Sequence, residues 1–120
     1  MRVIITNNKI ALEKARERCI AVEGDTEDVL IKVRDLVHSG YTLLSYPLGA
    51  SIKMLHSPVT SVLMEEGKAF HEESAVVAEE SLEKLRKTLG KRKSDERNRP
   101  DYETIDWDRL QSAIDELNRF

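Results

Sequence analysis

The run from Gly24 to Lys53, GDTEDVLIKVRDLVHSGYTLLSYPLGASIK, sets a helix, a stop, a strand and a small-residue loop in immediate succession. Asp25 or Thr26 is placed to cap the helix, because a short side-chain oxygen accepts from first-turn amides that have no carbonyl partner. Val29, Leu30, Val33, Leu36 and Val37 then recur at helical spacing and define one apolar face. Gly40 ends the helix, since glycine enters the left-handed cap conformation without a Cβ clash. Thr42-Leu43-Leu44-Ser45 reads as a strand, and Pro47, which has no N–H to donate, limits pairing beyond it. A chain that spends so few residues between helix and strand is committed to packing helices against a sheet.

The flanking segments extend that pattern. Val3-Ile4-Ile5-Thr6 is a β-branched run stopped by Asn7-Asn8, and residues Lys9 to Arg18 favour helix. Cys19-Ile20-Ala21-Val22 is a second strand-like run closed by Glu23-Gly24. Strand, helix, strand, helix, strand with short links predicts an α/β fold. We expect a small two- or three-layer βαβαβ arrangement, with a parallel sheet of three to four strands flanked by helices and a C-terminal helix. Val59 to Met64 is compatible with a fourth strand or a short helix, with its β-branched residues favouring strand. Glu73 to Leu89 is a long amphipathic helix whose early glutamates and late Lys84, Arg86 and Lys87 suit the helix dipole. The domain reading is therefore an α/β core over 1–90, a charged linker over 91–105 (it contains KRKSDERNRP), and a C-terminal amphipathic helix over 106–120 packing on the core or on a partner. Trp107, Leu110, Ala113, Ile114 and Leu117 share one face of that helix, which is too short to stand alone in water.

Composition narrows the function classes. The 120 residues suit one domain with its own core. Charged residues are 34% of the chain and the net charge is −3, so the broad basic surface that nucleic acid demands is missing. Cys19 is the one cysteine, so no internal disulfide forms and a cytoplasmic setting is expected. No apolar run is long enough to span a membrane, and the short Val3-Ile4-Ile5 stretch does not make a signal-peptide core.

Candidate chemistry concentrates on one edge of the expected sheet. In the loop after the third strand, Pro47 and Gly49 shape a turn, Ser51 offers a hydroxyl and Lys53 a charge, which together suit a phosphate or carboxylate. His56 lies close enough in sequence to join them. Asn7 and Asn8 end the first strand, so a parallel sheet sets them beside that loop, where they either cap a helix or meet an anion. The stretch matches neither GxxxxGK[ST] nor GxGxxG, and no GxSxG elbow is present. His38, His56 and His71 are scattered without metal-ligand spacing, and Cys19 opens an apolar strand as a small hydrophobe. No metal, cofactor or catalytic residue is expected.

Three blocks together resemble the GrdX family. They are Ile5-Thr6-Asn7-Asn8, the run from Val29 to Gly40, and Leu43-Leu44-Ser45-Tyr46-Pro47-Leu48 with Ser51-Ile52-Lys53. The resemblance spans about the first two-thirds of the chain, the length of a small domain. It implies a small cytoplasmic protein of amino-acid-fermenting or related anaerobic bacteria, encoded alongside glycine, sarcosine and betaine reductase components. It supplies no catalytic residues to carry over. A histidine is expected before the Pro-Leu pair in many members, where this chain has Tyr46, and the final helix lies outside the resembling part. The leading expectation is a non-enzymatic accessory or regulatory protein that binds a small anionic ligand or a partner, including the reductase components. The ligand residues would be Asn7, Asn8, Pro47, Gly49, Ser51, Lys53 and His56. One alternative is an enzyme acting on a small carboxylate or phosphorylated metabolite through Lys53 and His56. Another is an assembly subunit that forms a homodimer through the C-terminal helix.

Overall fold

The computed structural model describes residues 1–48, 56–89 and 95–119. Its sheet has four strands: β1 (Arg2–Thr6), β2 (Arg18–Ala21), β3 (Thr42–Leu43) and β4 (Ser61–Glu65), in the order β2-β1-β4-β3. The helices are α1 (Lys9–Lys14), α2 (Thr26–His38), α3 (Glu72–Leu89) and α4 (Arg99–Asn118). The α/β expectation holds. The stretch 59–64, read as strand or helix, supplies β4.

β1 pairs in parallel with β2 and antiparallel with β4, and β4 is antiparallel to β3. The sheet is therefore mixed rather than wholly parallel. A parallel neighbour needs a crossover back to the opposite edge. Here the chain leaves β3 and re-enters the sheet as β4 at the same edge, so β4 runs the other way. Consequently the ends of β1 and β2, and the segment that follows β3, meet the start of β4 on one edge.

β1 is apolar on both faces because both are covered. Val3 and Ile5, with Val62 and Met64 of β4, pack on Val29, Val33 and Val37 of α2 and Ala78 of α3. Ile4 and Leu63 point the other way, to Ala11 of α1 and Leu110 and Ile114 of α4. The architecture is thus three-layered, with α2 and α3 on one side and α1 and α4 on the other. Leu30, Leu82 and Leu85 make a further cluster between α2 and α3.

α4 begins at Arg99, ahead of the Asp106 start inferred from apolar spacing. Pro100 occupies its first turn, where the missing N–H costs nothing. Part of the stretch read as a linker is accordingly helical, and Glu96–Asn98 forms a 3-10 turn before it. The apolar face of α4 is spent on the chain's own core, and Arg2 reaches Asn118 at its far end with a 2.7 Å hydrogen bond.

Local signals set the limits of α2. Asp25 and Asp28 form a reciprocal capping box, with N–H to carboxylate distances of 3.2 and 3.0 Å. At the other end the Gly40 N–H reaches the Val37 carbonyl and the Tyr41 N–H the Leu36 carbonyl, both at 3.0 Å, which is the Schellman pattern. Gly40 has φ +110°, and a Cβ there would stand 2.6 Å from the Lys68 backbone. Gly40→Ala should therefore destabilise the protein by roughly 2 kcal/mol or more, read as a lower urea midpoint at unchanged slope.

Candidate functional site

The edge where β1 ends and β4 begins is a polar layer. Asn7 donates through Nδ2 to the carbonyls of Gly24 (2.9 Å) and Pro58 (2.8 Å), while its Oδ1 accepts from the Thr60 N–H at 3.0 Å. Asn8 caps α1 by accepting from the Ile10 N–H at 2.9 Å. Its Nδ2 donates to the Glu103 carbonyl at 2.9 Å and to Asp106 Oδ2 at 3.0 Å. Each amide thus uses both donors and its acceptor within the protein. Of the two roles read for Asn7 and Asn8, helix capping or anion contact, Asn8 takes the cap, and both amides are spent within the scaffold.

The expected meeting of two loops does occur, through Thr60. Its N–H binds Asn7 and its hydroxyl donates to the Pro47 carbonyl at 3.1 Å. Pro47 is buried, and His56 is half-buried with its carbonyl accepting from the Asp95 N–H at 2.8 Å. Gly49, Ser51 and Lys53 lie outside the described residues.

The centre of this layer is Asp106, which sequence reading passed over as the start of a helix. Its side chain is fully buried. Oδ1 accepts from the Ser61 N–H (3.0 Å) and from Arg109 Nη2 (3.1 Å). Oδ2 accepts from the Ser61 hydroxyl (2.6 Å) and from Asn8 Nδ2 (3.0 Å). An ionised carboxylate only accepts, so the Ser61 proton points at Asp106. Ser61 Oγ must then accept from the Thr6 hydroxyl at 2.7 Å, and Thr6 Oγ1 in turn accepts from the Asn8 N–H at 2.9 Å. The donors run one way, from β1 through β4 to α4. The signal that could have revealed Asp106 is its register, four residues before Leu110 and eight before Ile114, on the apolar stripe of α4.

Arg109 supplies the counter-charge. Nη2 also donates to Thr60 Oγ1 at 3.1 Å and to the Ser61 carbonyl at 3.2 Å. Its Nε is buried and has no hydrogen-bond partner among the described residues. Arg109 lines a cleft of about 620 Å³ between α3, α4 and the segment after β3. Ser45, Tyr46 and Leu48 form one side, Val77, Glu80, Ser81 and Lys84 of α3 another, and Arg109, Leu110 and Ala113 of α4 the third. A second cleft of about 260 Å³ shares Ser45, Tyr46 and Val77 and reaches His71, Glu73 and Ser74. There His71 Nδ1 accepts from the Ser74 N–H at 3.2 Å, so the Ser74 hydroxyl, 2.7 Å away, donates to the same nitrogen. Ser74 Oγ also accepts from the Leu43 N–H at 3.0 Å, joining α3 to β3.

This arrangement brings the side chains of Arg109 and Lys84 to one cleft with those of Ser45 and Ser81. The Ser61 hydroxyl is committed on both sides. The Cys19 thiol sits against the carbonyls of Glu17 and Ala11, and burial, helped by the Glu17 charge, pushes its pKa up. Among the described residues no cluster of His, Cys, Asp and Glu is placed to hold a metal ion, and no helix is long and apolar enough to cross a membrane.

Two outcomes follow from this geometry. Asp106→Ala should destabilise the fold by about 3–5 kcal/mol, because Arg109, Ser61 and Asn8 all lose their acceptor. Asp106→Asn should still cost about 2 kcal/mol or more, since either orientation turns an amide N–H₂ towards donors. Urea denaturation checks both, and a near-neutral Asp106→Asn would refute the acceptor-only account. Cys19 should be alkylated by iodoacetamide at pH 7.5 about tenfold more slowly than a free thiol.

Comparison with known proteins gives a family. Residues 3–115 match the family described as GrdX-like protein. The match runs well past the first two-thirds of the chain and takes in Asp106, Arg109 and Ile114, so α4 is part of the family's unit rather than an addition to it. No curated protein and no solved structure matches the chain. The match spans nearly the whole sequence and includes both the sheet edge and the helix that closes it, and the chain belongs to the GrdX-like protein family.

Proposed function

We propose that this protein is a small non-enzymatic accessory or regulatory protein of glycine reductase-type metabolism, and that it binds a small anionic ligand in the cleft beside Arg109. One observation carries the ligand reading. Arg109 lines the cleft with its side chain 30% exposed, while its Nε is buried and unpartnered among the described residues. A buried donor without an acceptor costs about 1–3 kcal/mol, and a carboxylate or phosphate oxygen that reaches Nε as the side chain shifts towards the cleft offsets that cost. Asp106 holds the guanidinium in a single orientation, so little freedom is lost on binding. Lys84 adds a second positive charge to the same cleft.

Family membership supports a role beside glycine, sarcosine or betaine reductase components, and the single cysteine suits a cytoplasmic setting. Against catalysis stands the commitment of the Ser61 hydroxyl to Thr6 and Asp106.

The test is a thermal-shift series with millimolar carboxylates and phosphates on the wild type and on Arg109→Lys, which keeps a positive charge near Asp106 but removes Nε. A ligand at about a hundred times its Kd stabilises by about 2.7 kcal/mol, which for a chain of this size raises Tm by about 5 °C or more. The variant should lose the shift. A series in which no anion raises Tm, or in which Arg109→Lys responds like the wild type, would contradict the assignment.

A further inference from the structure

The charge and lining of the Arg109 cleft point to a narrower class of ligand. We infer that the site takes a monocarboxylate with an apolar body, and discriminates against phosphate and against small hydrophilic anions. The inference rests on the anion reading above and specifies it.

Charge comes first. The cleft is lined by two cations, Arg109 and Lys84, and by one carboxylate, Glu80. Asp106 lies directly on Arg109 at 3.1 Å, so the cations are matched by two carboxylates. Among the described residues neither Glu80 nor Lys84 lies within ion-pair distance of a partner, whereas their neighbours Glu83 and Lys87 pair at 3.2 Å. A site with no surplus positive charge disfavours a dianion more strongly than a monoanion. A phosphate dianion needs several convergent charged donors, and Arg109 has already committed Nη2 to Asp106, Thr60 and Ser61.

Shape comes second. At about 620 Å³ the cleft lies within the range that accommodates drug-sized molecules, far more than an inorganic anion or a two-carbon acid fills. Leu48, Val77, Leu110 and Ala113 give it apolar walls on three sides. A carboxylate seated at Arg109 places its remaining carbons against these walls, with an apolar body of about four carbons or more needed to cover them.

The experiment is calorimetric titration of the full chain with the straight-chain series acetate, butyrate, hexanoate and octanoate, alongside inorganic phosphate and glycine. Each methylene removed from water tightens binding about fourfold, so Kd should fall steeply along the series until the cleft is full. Phosphate and glycine should bind no better than acetate. Ala113→Leu, which fills the apolar wall from α4 and leaves Arg109 in place, should weaken octanoate at least about tenfold more than it weakens acetate. Retention of the wild-type circular dichroism spectrum confirms that this variant is folded. A flat series with Arg109-dependent acetate binding overturns the inference and leaves the anion reading standing. Tighter binding of phosphate or glycine than of octanoate, or an Ala113→Leu variant with an unchanged series, also overturns it. Failure of every anion to bind overturns both.

Discussion

A single buried carboxylate holds this fold's working edge together. Asp106 accepts from β4 through the Ser61 N–H and hydroxyl, from the end of β1 through Asn8, and from its own helix through Arg109. Burying such a charge is costly unless every lone pair is met, and here four donors meet it. The layer above the sheet edge therefore forms as a unit. Its donors run from the Asn8 N–H through Thr6 and Ser61 to Asp106, a direction imposed by the one group that cannot donate. The apolar contacts of Leu110 and Ile114 bring α4 to the sheet, and the carboxylate sets its register.

The same interaction shapes the cleft. Arg109 is both the counter-ion of Asp106 and a wall of the space between α3 and α4. Its Nη2 is held on three acceptors, which leaves Nε as the buried, unpartnered donor among the described residues. Stability and recognition thus share one residue, and removing its charge disturbs both. Arg109→Lys and Ala113→Leu separate the two roles because neither removes the positive charge beside Asp106.

What the sequence made legible was local. The Asp25–Asp28 capping box, the Gly40 stop and the apolar face of α2 each depend on residues within a turn or two of one another. β1 was legible from its unbroken apolar run. The direction of β4 was not, because Val59 to Met64 carries no local sign of which strand it pairs with or which way it runs. Asn7 and Asn8 were placed on the right edge, yet their amides serve Gly24, Pro58 and Glu103, partners fixed only by tertiary structure. Asp106 escaped because an acidic residue ahead of an apolar stripe reads as a helix start. Only the packing of α4 against Ile4 and Leu63 shows that this position is interior. Membership of the GrdX-like family agrees with the structure on one point that the sequence blocks alone did not give: the matched region takes in most of the last helix.

The most direct test of the central claim is the ¹⁵N–¹H correlation of the Arg109 Nε–H group, followed as hexanoate is added to the 120-residue chain. An Nε–H buried without an acceptor should give a resolved, slowly exchanging signal. It should move downfield on saturation as the carboxylate takes the bond, in step with amide shifts at Tyr46, Val77 and Ala113. An Arg109 signal that stays in place while the protein saturates elsewhere would contradict the account.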